Sequence, residues 1–321
     1  MAKTRYAPDR GLTARMGLTM FMLGLVFVAL VVALIFILSA FHQSAGVIVF
    51  FAVVLGLGMG LGSFFYSDKI ALSTAGAREV KPTDGPQAAH LHGIIDRLCA
   101  MADMPKPRVA IAPSPMPNAF ATGRNAKNSV LCVTTGLMDT LDDRELEGVI
   151  AHEMSHVAHK DVAVMTIASF LGIIAALLVR FAFYGELFGG GGRGRGGNND
   201  NGGGAIVMLA VMAVGIVVYA ISFLLIRLLS RYRELAADRA GALLTGNPSD
   251  LASALQKVSG GIARIPTRDL RQAEPLNAFF FAPALSAKNA GASLSTMFST
   301  HPSLERRLRQ LAEISAQLGK Q

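Results

Sequence analysis

The sequence predicts a mainly α membrane protein with a split α+β soluble domain, its four transmembrane helices arranged as two hairpins. Three observations predict this. Of the 321 residues, 52% are hydrophobic and the mean hydropathy is +0.44, too apolar for one ordinary soluble domain. Long apolar runs come in two pairs, and each pair is followed by a stretch of soluble-domain composition. The expected division is a basic N-terminus (1–15), a first transmembrane hairpin (16–66), a first soluble part (67–161), a second hairpin (162–230) and a second soluble part (231–321).

The formal net charge is +8. In a membrane protein such an excess reports loops and headgroup contact, and no basic run with interleaved aromatics points to nucleic acid. Cys99 and Cys132 form no C-x-x-C and no secreted framework, so they read as reduced core thiols.

Lys3, Arg5, Arg10 and Arg15 face a single Asp9 before the apolar run Met16 to Ala40. That run exceeds the ~20 residues needed to cross the hydrocarbon core and the roughly 7–15 of a signal-peptide core, so it reads as an uncleaved transmembrane helix. A second span, Ala45 to Tyr66, contains Gly56, Gly58, Gly60 and Gly62, whose overlapping G-x-x-x-G pairs predict close approach of another helix. From Ser67 the composition changes. Leu91, Ile94, Ile95 and Leu98 share one face of a helix over Gln87 to Met101. Arg108 to Ala112, Asn118 to Gly123 and Ser129 to Thr134 are short β-rich runs, the last two joined as a hairpin, and together they predict a small sheet.

Asp142 followed three residues later by Glu145 is a capping-box pattern that starts the next helix. Its face of Leu146, Ile150, Met154 and Val157 should pack on the sheet and leave the other face towards a cleft. A third span, Val162 to Tyr184, leads into a glycine-rich loop (185–204), read as a flexible linker, and the fourth span is Ala205 to Leu229. A helix carrying Glu234 and Asp238 follows. The remainder holds helical stretches, an irregular patch near Pro275 to Pro283, and a last amphipathic helix from Pro302 onward. The positive-inside rule puts both soluble parts and both termini in the cytoplasm, because each hairpin returns the chain to the side of the basic N-terminus.

The chemistry concentrates in V-I-A-H-E-M-S-H-V-A-H-K-D, residues Val149 to Asp161. His152 and His156 lie at i and i+4, so both imidazoles project from one helical face and can close on one metal ion, with Glu153 beside them. A catalytic zinc needs three protein ligands and an open position, and Glu234 completes a His-His-Glu set because the second hairpin brings it back to the same membrane face. Asp238, one turn after Glu234, could accept the second N–H of a metal-bound histidine, and Asp161 offers the same service. With one Zn²⁺ per chain and Glu153 as general base, the ligands imply peptide-bond hydrolysis by an activated water. Asn118, Ala119, Phe120 and Ala121 could form an edge strand that binds an extended substrate, although Phe120 also reads as core. His301 reads in three ways: oxyanion stabiliser, support for the ligands, or cap of the helix that Pro302 starts. His159 reads as solvated.

The motifs P-N-A-F-A-T-G at Pro117 to Gly123, V-I-A-H-E-M-S-H, R-E-L-A-A-D and T-H-P-S-L-E-R-R at Thr300 to Arg307, with the first apolar pair, resemble the HtpX family of membrane zinc metalloproteases, relatives of the CAAX prenyl proteases. The resemblance implies a zincin-like α+β metalloprotease domain, zinc on His152, His156 and Glu234, and Glu153 as catalytic base. It further implies a multi-pass enzyme of the bacterial inner membrane, serving stress-related quality control by cleaving misfolded or damaged membrane proteins. The family often has Gly where this chain has Lys160, which puts the local turn in question. Two alternatives remain: a non-enzymatic zinc-stabilised membrane scaffold, and a protease that processes prenylated C-termini.

Overall fold

The computed structural model describes residues 10–40, 46–189, 201–264 and 301–319. They fall into two compact units, one formed by Met1–Met16, Phe64–Ala163 and Ser230–Gln321, the other by Gly17–Ser63 and Val164–Leu229.

The second unit is helical. Helix α1 (Arg10–Ala40) and helix α2 (Gly46–Thr74) contribute most of their length to it. So do α6 (Asp161–Gly189) and the 45-residue α7 (Asn201–Thr245). Among the described residues three helical stretches are long and apolar enough to cross a membrane: Arg10–Ile37, Asp161–Tyr184 and Ile206–Thr245. A row of large apolar side chains such as Phe21, Phe36, Ile216 and Val217 is exposed on them, as lipid-facing helices require. The close approach expected along the α2 glycines occurs at Gly56, where a Cβ would sit 3.0 Å from Ile174 Cγ1 of α6. Gly58 and Gly62 face open space instead, because only one side of α2 can meet a given neighbour.

Composition places the glycine-rich linker at 185–204, but helix extends into it to Gly189 and resumes at Asn201. Extending a long helix fixes one residue per hydrogen bond, which glycine tolerates far better than nucleation. The turn expected at Phe41 to Ser44 and the patch at Pro275 to Pro283 lie outside the described residues.

The first unit is built on a four-stranded sheet, β1 (Arg78–Glu79), β2 (Arg108–Ala112), β3 (Ala119–Gly123) and β4 (Ser129–Thr134), in the order β1-β2-β4-β3. Strands β2 and β4 are parallel, and the other pairs are antiparallel. The β3–β4 hairpin closes through a 3-10 turn at Ala126–Asn128, and Gly123 enters it at φ 133°, where a Cβ would collide with the Asn128 carbonyl. Every β4 residue is buried because the sheet is covered on both faces, which explains the unbroken apolar run V-L-C-V. On one face Phe120, Val130 and Cys132 meet Ala71 of α2. On the other, Val109, Leu131 and Val133 join a larger core with α3 (Pro86–Ala102), α4 (Thr135–Thr140), α5 (Asp143–Ala158), α8 (Pro248–Arg264) and α9 (Leu304–Leu318). Both cysteines are free and buried, and burial pushes their thiols up, to about 11 for Cys99 and about 12 for Cys132.

Candidate metal centre

Helix α5 starts where the sequence places its start. The Asp142 carboxylate accepts from the backbone N–H groups of Arg144 and Glu145, and Glu145 accepts from the Asp142 N–H. Glu145 does more than cap: Ser253 Oγ and Lys257 Nζ of α8 donate to it at 2.6 and 2.7 Å. The helix is therefore anchored from its first turn. It is also buried around most of its circumference, since α3, α7 and α8 add to the enclosure that the sheet begins. Gly241 of α7 makes this possible. A Cβ there would lie 2.9 Å from the His152 backbone nitrogen, so glycine lets α7 reach α5 at the metal turn.

That approach brings together the predicted ligands. His152 Nε2 lies 3.3 Å from His156 Nε2 and 3.7 Å from Glu234 Oε2, while Glu234 Oε1 is 3.5 Å from His156 Nε2. All three donor atoms fall within 4.8 Å of one another, the spacing of ligands around one ion. His152 is 1% exposed and Glu234 8%, so these groups are withdrawn from water and face each other.

Each imidazole is held by its other nitrogen. His152 Nδ1 lies 3.0 Å from Asp238 Oδ1, and His156 Nδ1 lies 2.5 Å from Asp161 Oδ2. A carboxylate can only accept, so both Nδ1 atoms carry the proton and both Nε2 lone pairs point at the shared space. The donor set and its tautomers fit a divalent metal of zinc type. Burial holds the His152 pKa below its ordinary value, favouring the neutral form that a ligand needs. For His156 burial also lowers it, but Asp161 outweighs burial and holds it above the ordinary value.

Two arginines that sequence reasoning did not single out complete the shell. Arg307 of α9 donates to Asp238 through Nε at 2.7 Å and Nη2 at 2.6 Å, and its Nη1 is 3.8 Å from Glu234 Oε2. Arg233 Nη2 is 2.9 Å from Asp161 Oδ2. A signal for Arg307 existed: it falls at i+3 from Leu304 and four before Leu311, on the apolar face of an amphipathic helix, where an arginine needs a buried partner.

His301 Nδ1 lies 3.1 Å from Glu234 Oε2. The cap of α9 is Ser303, whose side chain accepts from the Arg306 N–H, so the capping reading of His301 is set aside. His159 closes the C-terminus of α5 and is half-buried instead of solvated. Lys160 adopts φ 57°, the left-handed conformation that explains why glycine suits this position.

Glu153 sits beside the ligands, 5% exposed, and burial first, then the Glu234 charge, raise its carboxyl to about 7. Its Oε2 accepts from the Ala121 N–H at 3.1 Å. Ala121 belongs to β3, an edge strand of the described sheet. Asn118 turns its N–H and C=O towards Thr134 of β4, so by alternation Ala119 and Ala121 turn theirs outward, over Glu153. Phe120 and Ala119 both bury their side chains in the core, while the Ala119 and Ala121 backbone lies at the edge of the described sheet.

Three comparisons with known proteins show what the chain is similar to. The chain is 56% identical over 318 residues to Protease HtpX homolog 1 of Streptomyces coelicolor, covering 99% of this chain and 97% of that relative. It is 49% identical over 315 residues to a Protease HtpX homolog of Moorella thermoacetica, covering 97% and 96%. The crystal structure of S. mikatae Ste24p shares the fold, with a TM-score of 0.53 and 17% identity over 93% of this chain and 67% of that one. The profile of Peptidase family M48 spans residues 86–315, from the start of α3 into α9, and so takes in every residue of the constellation just described; the chain belongs to peptidase family M48.

Proposed function

We propose that this membrane-bound metallopeptidase is a zinc endopeptidase that cleaves misfolded or damaged membrane proteins, with one Zn²⁺ on His152, His156 and Glu234. The observation that carries the reading is the convergence of three buried ligand atoms within 4.8 Å beside an acid raised to about 7. A zinc ion held by these three residues would supply a Lewis acid that lowers the pKa of water to ~7 and polarises a carbonyl. Glu153 takes the proton from the attacking water and returns it to the leaving amine. Ala119, through its outward N–H and C=O, and Ala121, through its C=O, offer groups that an extended peptide can join as a further strand, with its scissile carbonyl passing over Glu153. Asp238 and Asp161 keep the imidazoles in the ligating tautomer, and His301 steadies Glu234 or meets the developing oxyanion.

A scaffold that keeps zinc only for folding has no use for Glu153 at the substrate edge, so that alternative is not favoured. Nor is prenyl-specific processing, because the relatives that match nearly full length carry the HtpX name and the likeness to Ste24p supports fold alone.

The membrane arrangement belongs to the same proposal. Helix α2 joins the three apolar spans to make two hairpins, the two soluble stretches form one catalytic domain, and that domain and both termini face the cytoplasm of a bacterial inner membrane. The test is proteolysis by detergent-purified protein before and after chelation, with zinc added back, on an unfolded membrane protein and an unfolded soluble one. Loss and recovery with zinc, and faster cleavage of the membrane substrate, support the reading; equal rates on the two substrates remove the membrane specificity.

A further inference from the structure

The last turns of α2 present two faces to different surroundings. The apolar run that the sequence reads as the second span ends at Tyr66, yet α2 continues unbroken to Thr74. Along one side, at helical spacing, Phe65, Asp68 and Ala71 dock on the sheet. The Arg124 guanidinium, in the connection between β3 and β4, lies 5.4 Å from the centre of the Phe65 ring. Asp68 pairs with Arg108 of β2, and Ala71 is buried in the core with Phe120, Val130 and Cys132. These three contacts fix the end of the apolar helix to the strands that serve the active site.

The other side carries Tyr66, Lys69 and Ile70. Tyr66 is 56% exposed and Ile70 52%, and the Lys69 ammonium lies 5.6 Å from the centre of the Tyr66 ring. A tyrosine, an isoleucine and a lysine just past the end of an apolar helix have the chemistry of the membrane–water boundary, where the ring sits at headgroup level and the ammonium reaches outward. The neighbouring β3–β4 connection is polar: Arg124, Asn125, Lys127 and Asn128 are all exposed. The metal centre also stands at the end of an apolar helix, since Asp161, which holds His156, is the first residue of the candidate span Asp161–Tyr184.

We infer that the β3–β4 connection and the Tyr66–Lys69–Ile70 face of α2 rest in the headgroup layer of the bilayer, and so set the distance from the membrane at which a substrate is cut. Strand β3 runs from the active site to this connection. Ala121, which donates to Glu153, and Arg124 are three residues apart, about 10 Å in an extended strand. A peptide paired to that edge therefore leads from the headgroup layer to Glu153, and its scissile bond lies on the order of three to six residues from the end of its own span. The substrate class is the segment of a membrane-anchored chain next to its span. This last step rests on the proteolytic reading, whereas the placement of the hairpin does not, and the two are measured separately.

Placement is read in full-length Glu153→Gln, which does not need to cleave, reconstituted in phosphatidylcholine/phosphatidylglycerol liposomes. Cys99 and Cys132 are buried, so a single introduced thiol takes the bimane label. Labels go on Lys127→Cys and Arg124→Cys in the hairpin, with Gln87→Cys for comparison, at the exposed start of α3 on the opposite face of the sheet from α2. Expected is at least twofold quenching of both hairpin labels by phosphatidylcholine carrying a headgroup nitroxide, with little quenching by aqueous iodide, and the reverse at Gln87→Cys. Two hairpin sites guard against misfolding of either variant. Hairpin labels as open to iodide as the Gln87→Cys label, and untouched by the nitroxide lipid, would overturn the inference. In the active enzyme, cuts in a single-span peptide, mapped by mass spectrometry, should stay near the end of the span when its soluble tail is lengthened or its sequence shuffled. Cuts that follow the tail sequence instead would overturn the distance rule, and an absence of cleavage would count against the proteolytic reading while the labels still decide the placement.

Discussion

Arg307 grips Asp238 with two hydrogen bonds of 2.7 and 2.6 Å, and both side chains are almost wholly buried. Asp238 in turn holds His152, so a residue of the last helix reaches a predicted ligand through one carboxylate. Removing Arg307 leaves a buried, uncompensated charge. Arg307→Met should destabilise the protein by about 3–5 kcal/mol and weaken metal affinity about 10–100-fold. Arg307→Met/Asp238→Asn should restore stability better than metal affinity. Thermal unfolding with and without chelator, together with metal competition, reads both.

Lys160 at φ 57° is the second point of prediction. Lys160→Gly relieves a left-handed conformation that costs an L-residue roughly 1–2 kcal/mol, against roughly 0.5–1 kcal/mol of added chain entropy when unfolded, so stability should be unchanged or slightly raised. Lys160→Val, which tolerates that conformation worse, should lower it by about 1 kcal/mol or more. Both follow from equilibrium denaturation. Loss of stability in Lys160→Gly would contradict the account of this turn.

The sequence made the metal turn legible because its signals are local. The capping box at Asp142 and Glu145 and the i, i+4 histidines each depend on residues within one helical turn, and the β3–β4 hairpin depends on adjacent runs. What stayed hidden is long-range. Strand β1 has only two residues, and its pairing with β2 leaves no periodicity. The parallel β2–β4 pair skips the intervening β3. The bonds from Ser253 and Lys257 to Glu145 join residues more than a hundred positions apart. Arg307 could have been found from its place on an apolar face, and Gly241 could not, since its role is set by a backbone from another helix.

Glu145 carries a pH signature. Burial pushes its carboxyl up, but Lys257, Ser253 and the Asp142 N–H outweigh burial and leave it below the ordinary value. Its folded pKa is thus depressed, so its contribution to stability is present above about 4.5, the unfolded value, and is lost as pH falls through the folded one. The stability gap between wild type and Glu145→Gln should be constant near neutrality and shrink on acidification below about 4.5. A gap independent of pH down to 3 would contradict the ion-pair role.

Glu153 should behave in the opposite sense. Its folded pKa of about 7 exceeds the unfolded 4.5, so the folded state binds more protons between those values and loses stability as pH rises through them. In chelated protein Glu153→Gln should be more stable than wild type above pH 7, by something on the order of 3 kcal/mol, with the difference vanishing below about 4.5. Chemical denaturation across pH 4 to 8 checks the sign.

The central claim is that Glu153 moves the proton while His152, His156 and Glu234 hold the metal. Proteolysis and zinc content of purified wild type and Glu153→Gln, measured side by side, test it most directly. The account predicts one zinc per chain in both proteins and a cleavage rate in Glu153→Gln lower by about 10²–10⁴-fold or more. Full cleavage by Glu153→Gln with stoichiometric zinc would contradict it.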